Sequence, residues 1–113
     1  MTTIVMKFGG TSVASPEKIL GVARRAIREK QQGKRVVIVV SAMGKTTDTL
    51  LGLAGEISAE PPKREMDMLL ATGEQVTISL LAMAFKQLGH DALSFTGWQA
   101  GIETESVPRN ARI

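Results

Sequence analysis

Cysteine is absent from this 113-residue chain, and only Phe8, Phe85, Phe95 and Trp98 are aromatic. Without cysteine there can be no disulfide framework, no thiolate metal site and no cysteine nucleophile, which fits a reducing compartment. With so few aromatics the core must be aliphatic, and no aromatic side chains interleave with the basic ones as a single-strand nucleic-acid groove requires. The net charge of +3 comes from scattered residues. Arg24, Arg25 and Arg28 share one expected helix with Glu17 and Glu29 nearby, the pattern of a solvated face rather than a nucleic-acid patch. No apolar run is long enough to span a bilayer, and the N-terminus lacks the layout of a signal peptide. A cytoplasmic protein with no nucleic-acid or membrane partner is therefore expected. The lone histidine, His90, follows Gly89 in an expected surface turn and receives no role.

What is present is ordinary for a globular chain, with 43% hydrophobic and 22% charged residues. The length allows one domain or part of one. Ile4 to Phe8 reads as a strand that Gly9 and Gly10 stop. Ser15, Pro16 and Glu17 supply an N-cap, a first helical residue and a first-turn acid. Ile19, Ala23 and Ile27, with Val22 and Ala26 beside them, form one apolar helical face that should end near Gly33. Val36 to Val40 is β-branched without alternation, which suits a parallel strand covered on both faces. The unit is β-α-β. Leu50, Leu53, Ala54 and Ile57 mark another helix, broken at Glu60-Pro61-Pro62. A helical stretch from Lys63 is expected to be interrupted at Thr72-Gly73-Glu74-Gln75. A longer helix follows to Leu88, with Val76, Leu80 and Ala84 as its apolar row. Met43, Met66, Met68 and Met83 read as core filling. Ala92 to Phe95 is expected as a third strand, followed by a loop over Thr96 to Gly101. There is no internal repeat.

Two loops draw attention. The first is Lys7-Phe8-Gly9-Gly10-Thr11-Ser12. Adjacent glycines let the backbone approach a ligand closely, successive N–H groups can cradle an anion, and Lys7 adds positive charge. An ordinary strand-to-helix turn also needs glycine, so phosphate handling and simple chain reversal are both open from this stretch alone. The second is Ser41 to Asp48, polar and glycine-containing. If the two strands are parallel, both loops leave the carboxyl edge of one sheet, where open α/β sheets bind ligands. Neither loop is a familiar nucleotide motif. Gly44-Lys45-Thr46 ends like a P-loop, but Val39 stands where the first glycine is required. Gly9 to Val13 does not fit Gly-x-Gly-x-x-Gly.

Taken in order, Lys7 to Ser12, Ser41-Ala42-Met43-Gly44, Arg64 to Leu70, Thr72-Gly73-Glu74 and Phe95-Thr96-Gly97 closely resemble the N-terminal part of the bacterial aspartokinases, within the amino acid kinase family. The resemblance covers the whole chain. It implies a three-layer α/β/α sandwich of the carbamate kinase-like type, of which residues 1–113 would be the N-terminal part. The adenine-binding half and regulatory ACT domains would lie outside it. It implies transfer of the ATP γ-phosphoryl group, with Mg2+, to the side-chain carboxylate of L-aspartate, giving 4-phospho-L-aspartate for lysine (diaminopimelate), threonine and methionine synthesis. By the family motif, Lys7, Phe8, Gly9 and Gly10 contact ATP phosphates, with Lys7 as the catalytic residue. Ser41 lines the same site, and Thr47 and Glu74 bind aspartate. No residue is assigned to metal. A homo- or hetero-oligomer is expected of the full-length enzyme, and negligible activity of this stretch alone.

The chemistry is consistent. An unperturbed aspartate side chain titrates at about 3.9 and is already a nucleophilic carboxylate at neutral pH, so no general base is needed. Phosphoryl transfer depends on positioning and on neutralising oxygen charge, which Lys7 and backbone N–H groups can supply. Local readings compete. Thr47 could be only an N-cap, Glu74 only a first-turn acid, and Ser41 only a satisfied strand-end hydroxyl. The alternatives to an aspartate kinase are a non-catalytic aspartate- and phosphate-binding module, or a related amino-acid kinase.

Overall fold

A computed structural model describes residues 2–94 of the chain. The strand β1 (Thr3–Phe8) leads through a 3₁₀ turn (Gly10–Val13) into α1 (Pro16–Gln31). The strand β2 (Arg35–Val40) follows, then α2 (Thr46–Ile57) and α3 (Lys63–Gln87). The strands pair in parallel, with Thr3 opposite Arg35 and Phe8 opposite Val40. This is the expected β-α-β unit.

Local chemistry sets α1. The Ser15 hydroxyl accepts the Lys18 N–H at 3.2 Å, Pro16 occupies the first turn with Glu17, and Arg28 and Lys30 stand in the last turn. Its expected face is the one that packs: Ile19, Val22, Ala23, Ala26 and Ile27 are all buried. That face meets Met6, Ile38 and Val40 from the strands and Ile78, Leu81 and Ala84 from α3 in one core cluster, with Ile4, Phe8 and Val36 at its margin. The alanines on α1 make its face shallow, which lets α1 lie close to the sheet and to α3.

The expectation that β2 is covered on both faces is not met among the described residues. Both α1 and α3 pack on the face that carries Met6, Ile38 and Val40. The other face is open: Val5 is 64% exposed, Lys7 is exposed, and Val37 and Val39 are half-buried. The described residues thus form two α/β layers. No third strand pairs with the sheet here either. Ala92 to Ser94 has no strand structure, while Phe95 and the loop over Thr96 to Gly101 lie outside the described residues.

Three further differences concern α3. It runs unbroken through Thr72-Gly73-Glu74-Gln75. Thr and Gly are weak helix formers, and a mid-helix glycine costs about 1 kcal/mol relative to alanine. Packing on both sides of that point outweighs the local preference. The buried row is also shifted: Gly73, Thr77, Ile78, Leu81 and Ala84 face inward, while Val76 is 52% exposed. Met68 and Met83 are exposed as well, whereas Met43 packs against the core. Finally, α3 is long and apolar enough, by length and composition, to cross a membrane, with a window of mean hydropathy 1.5. Its inward residues join the α/β core, and Glu74 stands near its middle. Both features suit a core helix.

Candidate functional site

The two glycine-containing loops meet. The Gly44 N–H donates to the Gly10 carbonyl at 3.0 Å, and the Ser41 N–H donates to the Phe8 carbonyl at 3.3 Å. Because β1 and β2 are parallel and end in register, both loops leave the same edge of the sheet. Gly44 has φ of +46°, a left-handed conformation that side-chain-bearing residues rarely adopt. That turn aims α2 back across the edge.

Two helical N-termini open onto this edge. The 3₁₀ turn begins after Gly9 and α2 after Lys45, and neither is capped by a side chain. Uncapped first-turn N–H groups and the helix dipole favour an anion at such an end. Lys45 places a cation at the start of α2, although its sequence pattern fails as a P-loop. Thr46 and Thr47 lie in the first turn of α2, so Thr47 is inside the helix and not its cap.

Lys7 is the penultimate residue of β1, exposed on the open face and beside Val39 in register. Phe8 is differently committed. Its ring packs against the core with the Arg25 guanidinium 5.9 Å from its centroid, and its carbonyl is taken by Ser41. On the outer side of the 3₁₀ turn a shallow groove of about 520 Å³ runs between Thr11, Ser12, Lys18 and Arg25. Lys18 Nζ donates to the Thr11 carbonyl at 3.1 Å. These two cations reinforce the positive surroundings of the glycine turn. Nothing in the spacing of Arg25 in the sequence distinguished it from its solvated neighbours.

The third contributor is α3. Gly73 is buried where the helix meets Ala42, Thr46 and Leu50, which places Glu74 next to the contact with the start of α2. The Glu74 carboxyl, though exposed overall, is flanked by enough protein that burial raises its pKa above the ordinary glutamate value. Thus Gly9, Gly10, Ser41, Thr47 and Glu74 belong to one edge of the molecule. An apolar cavity of about 370 Å³ lies far from it, at the start of β2, lined by Ile27, Val36, Ile78, Leu81 and Phe85 with Lys34 and His90 at its rim.

A family model described as the amino acid kinase family matches residues 2–113. The chain belongs to the amino acid kinase family. It is 70% identical over its whole length to an aspartokinase of Bacillus sp. (strain MGA3), and 68% identical to aspartokinase 2 of Bacillus subtilis (strain 168). It covers 28% of each of those proteins. The structure superimposes on a crystal structure of aspartate kinase from Synechocystis with a TM-score of 0.80 and 54% identity. That match covers 81% of this chain and 16% of the Synechocystis one. The α/β organisation of this segment is therefore that of the amino acid kinase family.

Proposed function

We propose that this chain is the N-terminal segment of an aspartate kinase. In this reading it contributes part of the ATP site and the aspartate contacts of Thr47 and Glu74 to a three-layer α/β/α catalytic domain. The observation that carries this reading is the convergence at one sheet edge of the Gly9-Gly10 turn, the Ser41 to Gly44 loop and the Gly73-Glu74 step of α3. The same pieces, in the same order, occur in a chain 70% identical to an aspartokinase.

In this reading Lys7 and the N–H groups about Gly9 and Gly10 neutralise charge on the transferring phosphoryl oxygens. Ser41 lines the same site. Thr47 offers a hydroxyl to a substrate carboxylate, and Glu74 a negative charge to the substrate ammonium. The aspartate side chain attacks as a carboxylate and needs no base. Among the described residues no three histidine, aspartate or glutamate side chains converge. Mg2+ would arrive on the ATP phosphates, which is how this ion is usually held. The open face of the sheet would receive the third layer. A cytoplasmic oligomeric enzyme completes the reading, at the entry to lysine, threonine and methionine synthesis.

The test is acyl-phosphate formation by the full-length protein, trapped as the hydroxamate, with ATP and either L-aspartate or L-glutamate. Aspartate-dependent product is expected. Product from glutamate alone would assign a different kinase of the family, and product from neither would leave a binding module.

Glu74→Gln separates function from stability. Loss of a charged contact to the ammonium is expected to raise the aspartate KM by about ten- to a hundredfold, the equivalent of about 1.5–3 kcal/mol. Stability should move the other way. Because burial raises the Glu74 pKa, the folded state holds that proton more tightly than the unfolded chain, and stability falls as pH rises through the raised value. The amide lacks that loss. Melting temperatures without aspartate should therefore show a smaller decline for the variant as pH rises through and just above the ordinary glutamate range. A steeper decline in the variant would contradict the sign.

A further inference from the structure

We propose that Gly73 is a positioning residue. The missing side chain at position 73 lets α3 bring Glu74 up to the phosphate loops, and Ala42 is the spacer shared between them. The proposal rests on the aspartate kinase reading for its kinetic readout.

Ala42 is 5% exposed and is held from two sides. On one side its carbonyl oxygen lies 3.0 Å from where a Cβ on Gly10 would stand, with the Gly44 carbonyl at 3.4 Å. The Gly44 N–H to Gly10 carbonyl bond ties that contact shut. On the other side a Cβ on Gly73 would stand 2.9 Å from the Ala42 Cβ, 3.2 Å from Thr46 Cγ2 and 3.6 Å from Leu50 Cδ1. The order across the site is therefore Gly10, Ala42, Gly73, with close contact at both joints. The fully buried Thr77 hydroxyl donates to the Gly73 carbonyl at 3.3 Å, anchoring this turn of α3 from within the same helix.

A methyl group at position 73 cannot be absorbed locally. The Ala42 Cβ is fixed to the backbone and has no rotamer to adopt, and the Ala42 carbonyl already abuts Gly10. Because the post-β2 loop already abuts the glycine turn, α3 is the element that moves outward, and Glu74 moves with it. Helix propensity predicts the opposite sign, since alanine is a better helix former than glycine. A glycine retained in the middle of a 25-residue helix against that preference is explained by the contact.

The experiment compares wild type, Gly73→Ala, Ala42→Gly and the double variant in the full-length protein, measuring kcat and the KM values for aspartate and for ATP. Gly73→Ala is expected to raise the aspartate KM about tenfold or more, as displacement of a binding group by a fraction of an ångström to an ångström does. The ATP KM should change less than about twofold, since residues contacting ATP are not displaced by α3. In the double variant the methyl at 73 fills the space vacated at 42, and the aspartate KM should recover most of the loss. An unchanged aspartate KM in Gly73→Ala, or a double variant as impaired as the single one, overturns the proposal while the kinase reading stands. If Gly73→Ala is insoluble, the double variant decides: recovery of soluble protein with near wild-type aspartate KM supports it, and failure to recover overturns it. A wild-type protein with no aspartate-dependent turnover removes both readings.

Discussion

Replacing Lys7 by alanine in the full-length protein is expected to lower kcat by about 10²–10³-fold, the scale on which loss of one preorganised charge-stabilising group acts. Lys7 is the penultimate residue of β1, separated from Gly9 and Gly10 by Phe8, and lies on the open face of the sheet. One unit charge about 4 Å from another, at the effective dielectric of a protein surface cleft, is worth about 4 kcal/mol. A loss of 10²–10³-fold corresponds to about 2.7–4 kcal/mol, so the Coulomb contribution of this one residue is large enough. Aspartate binding should change little, because Thr47 and Glu74 lie on α2 and α3. Melting temperature should barely move, because an exposed side chain away from packing contacts contributes within about 0.5 kcal/mol. Steady-state kinetics with each substrate varied in turn, alongside a thermal melt, checks all three statements. An unaltered kcat removes Lys7 from the machinery.

Gly10→Ala should damage both activity and stability, and Gly9→Ala should not damage stability. The two glycines are adjacent, but their surroundings differ. A Cβ on Gly10 would meet the Ala42 carbonyl oxygen at 3.0 Å, a backbone atom that no rotamer can move. Relief requires the loops to shift apart by a few tenths of an ångström, which lengthens the Gly44 to Gly10 hydrogen bond. We expect a loss of about 1–3 kcal/mol in stability, with kcat lower by about 10²-fold from misplacement of the phosphate loops. A Cβ on Gly9 would meet nothing within 4 Å, and the backbone there is extended, with φ of −83°. Its alanine variant should melt within about 0.5 kcal/mol of wild type, and any kinetic defect in it would report on ligand approach alone. Denaturant unfolding of the two variants side by side tests the distinction. Equal destabilisation would mean that the contact with Ala42 is not what requires glycine at position 10.

Much of the unit was legible where local chemistry decides. The positions of β1 (to within one residue) and β2, the Ser15-Pro16-Glu17 start of α1 and its inward row from Ile19 to Ile27 all follow from spacing and capping, and the structure agrees. The meeting of the two loops was also legible, because a parallel pair of strands must send both carboxyl ends to one edge. Roles for Ser41, Thr47 and Glu74 came only from the resemblance. No spacing in the chain brings those residues together, since they are brought near by the packing of α2 and α3.

By itself, then, the sequence determined the β-α-β unit, the glycine turn and the sheet edge on which the two loops meet. These depend on backbone geometry and on apolar periodicity within a few residues. Tertiary structure alone decided three things. It kept α3 continuous through Thr72-Gly73-Glu74, where local propensity favours a break, because burial of Thr77, Ile78 and Leu81 on one side and the close contact of Gly73 with Ala42 on the other outweigh a penalty of about 1 kcal/mol. It turned the inward row of α3 away from Val76 and onto Gly73, Thr77 and Leu81, because the face that meets α1 and α2 is set by where those helices already lie. And it left Val5, Lys7, Val37 and Val39 on a face that no described element covers, because β-branched residues favour an extended strand whether or not both of its faces are packed.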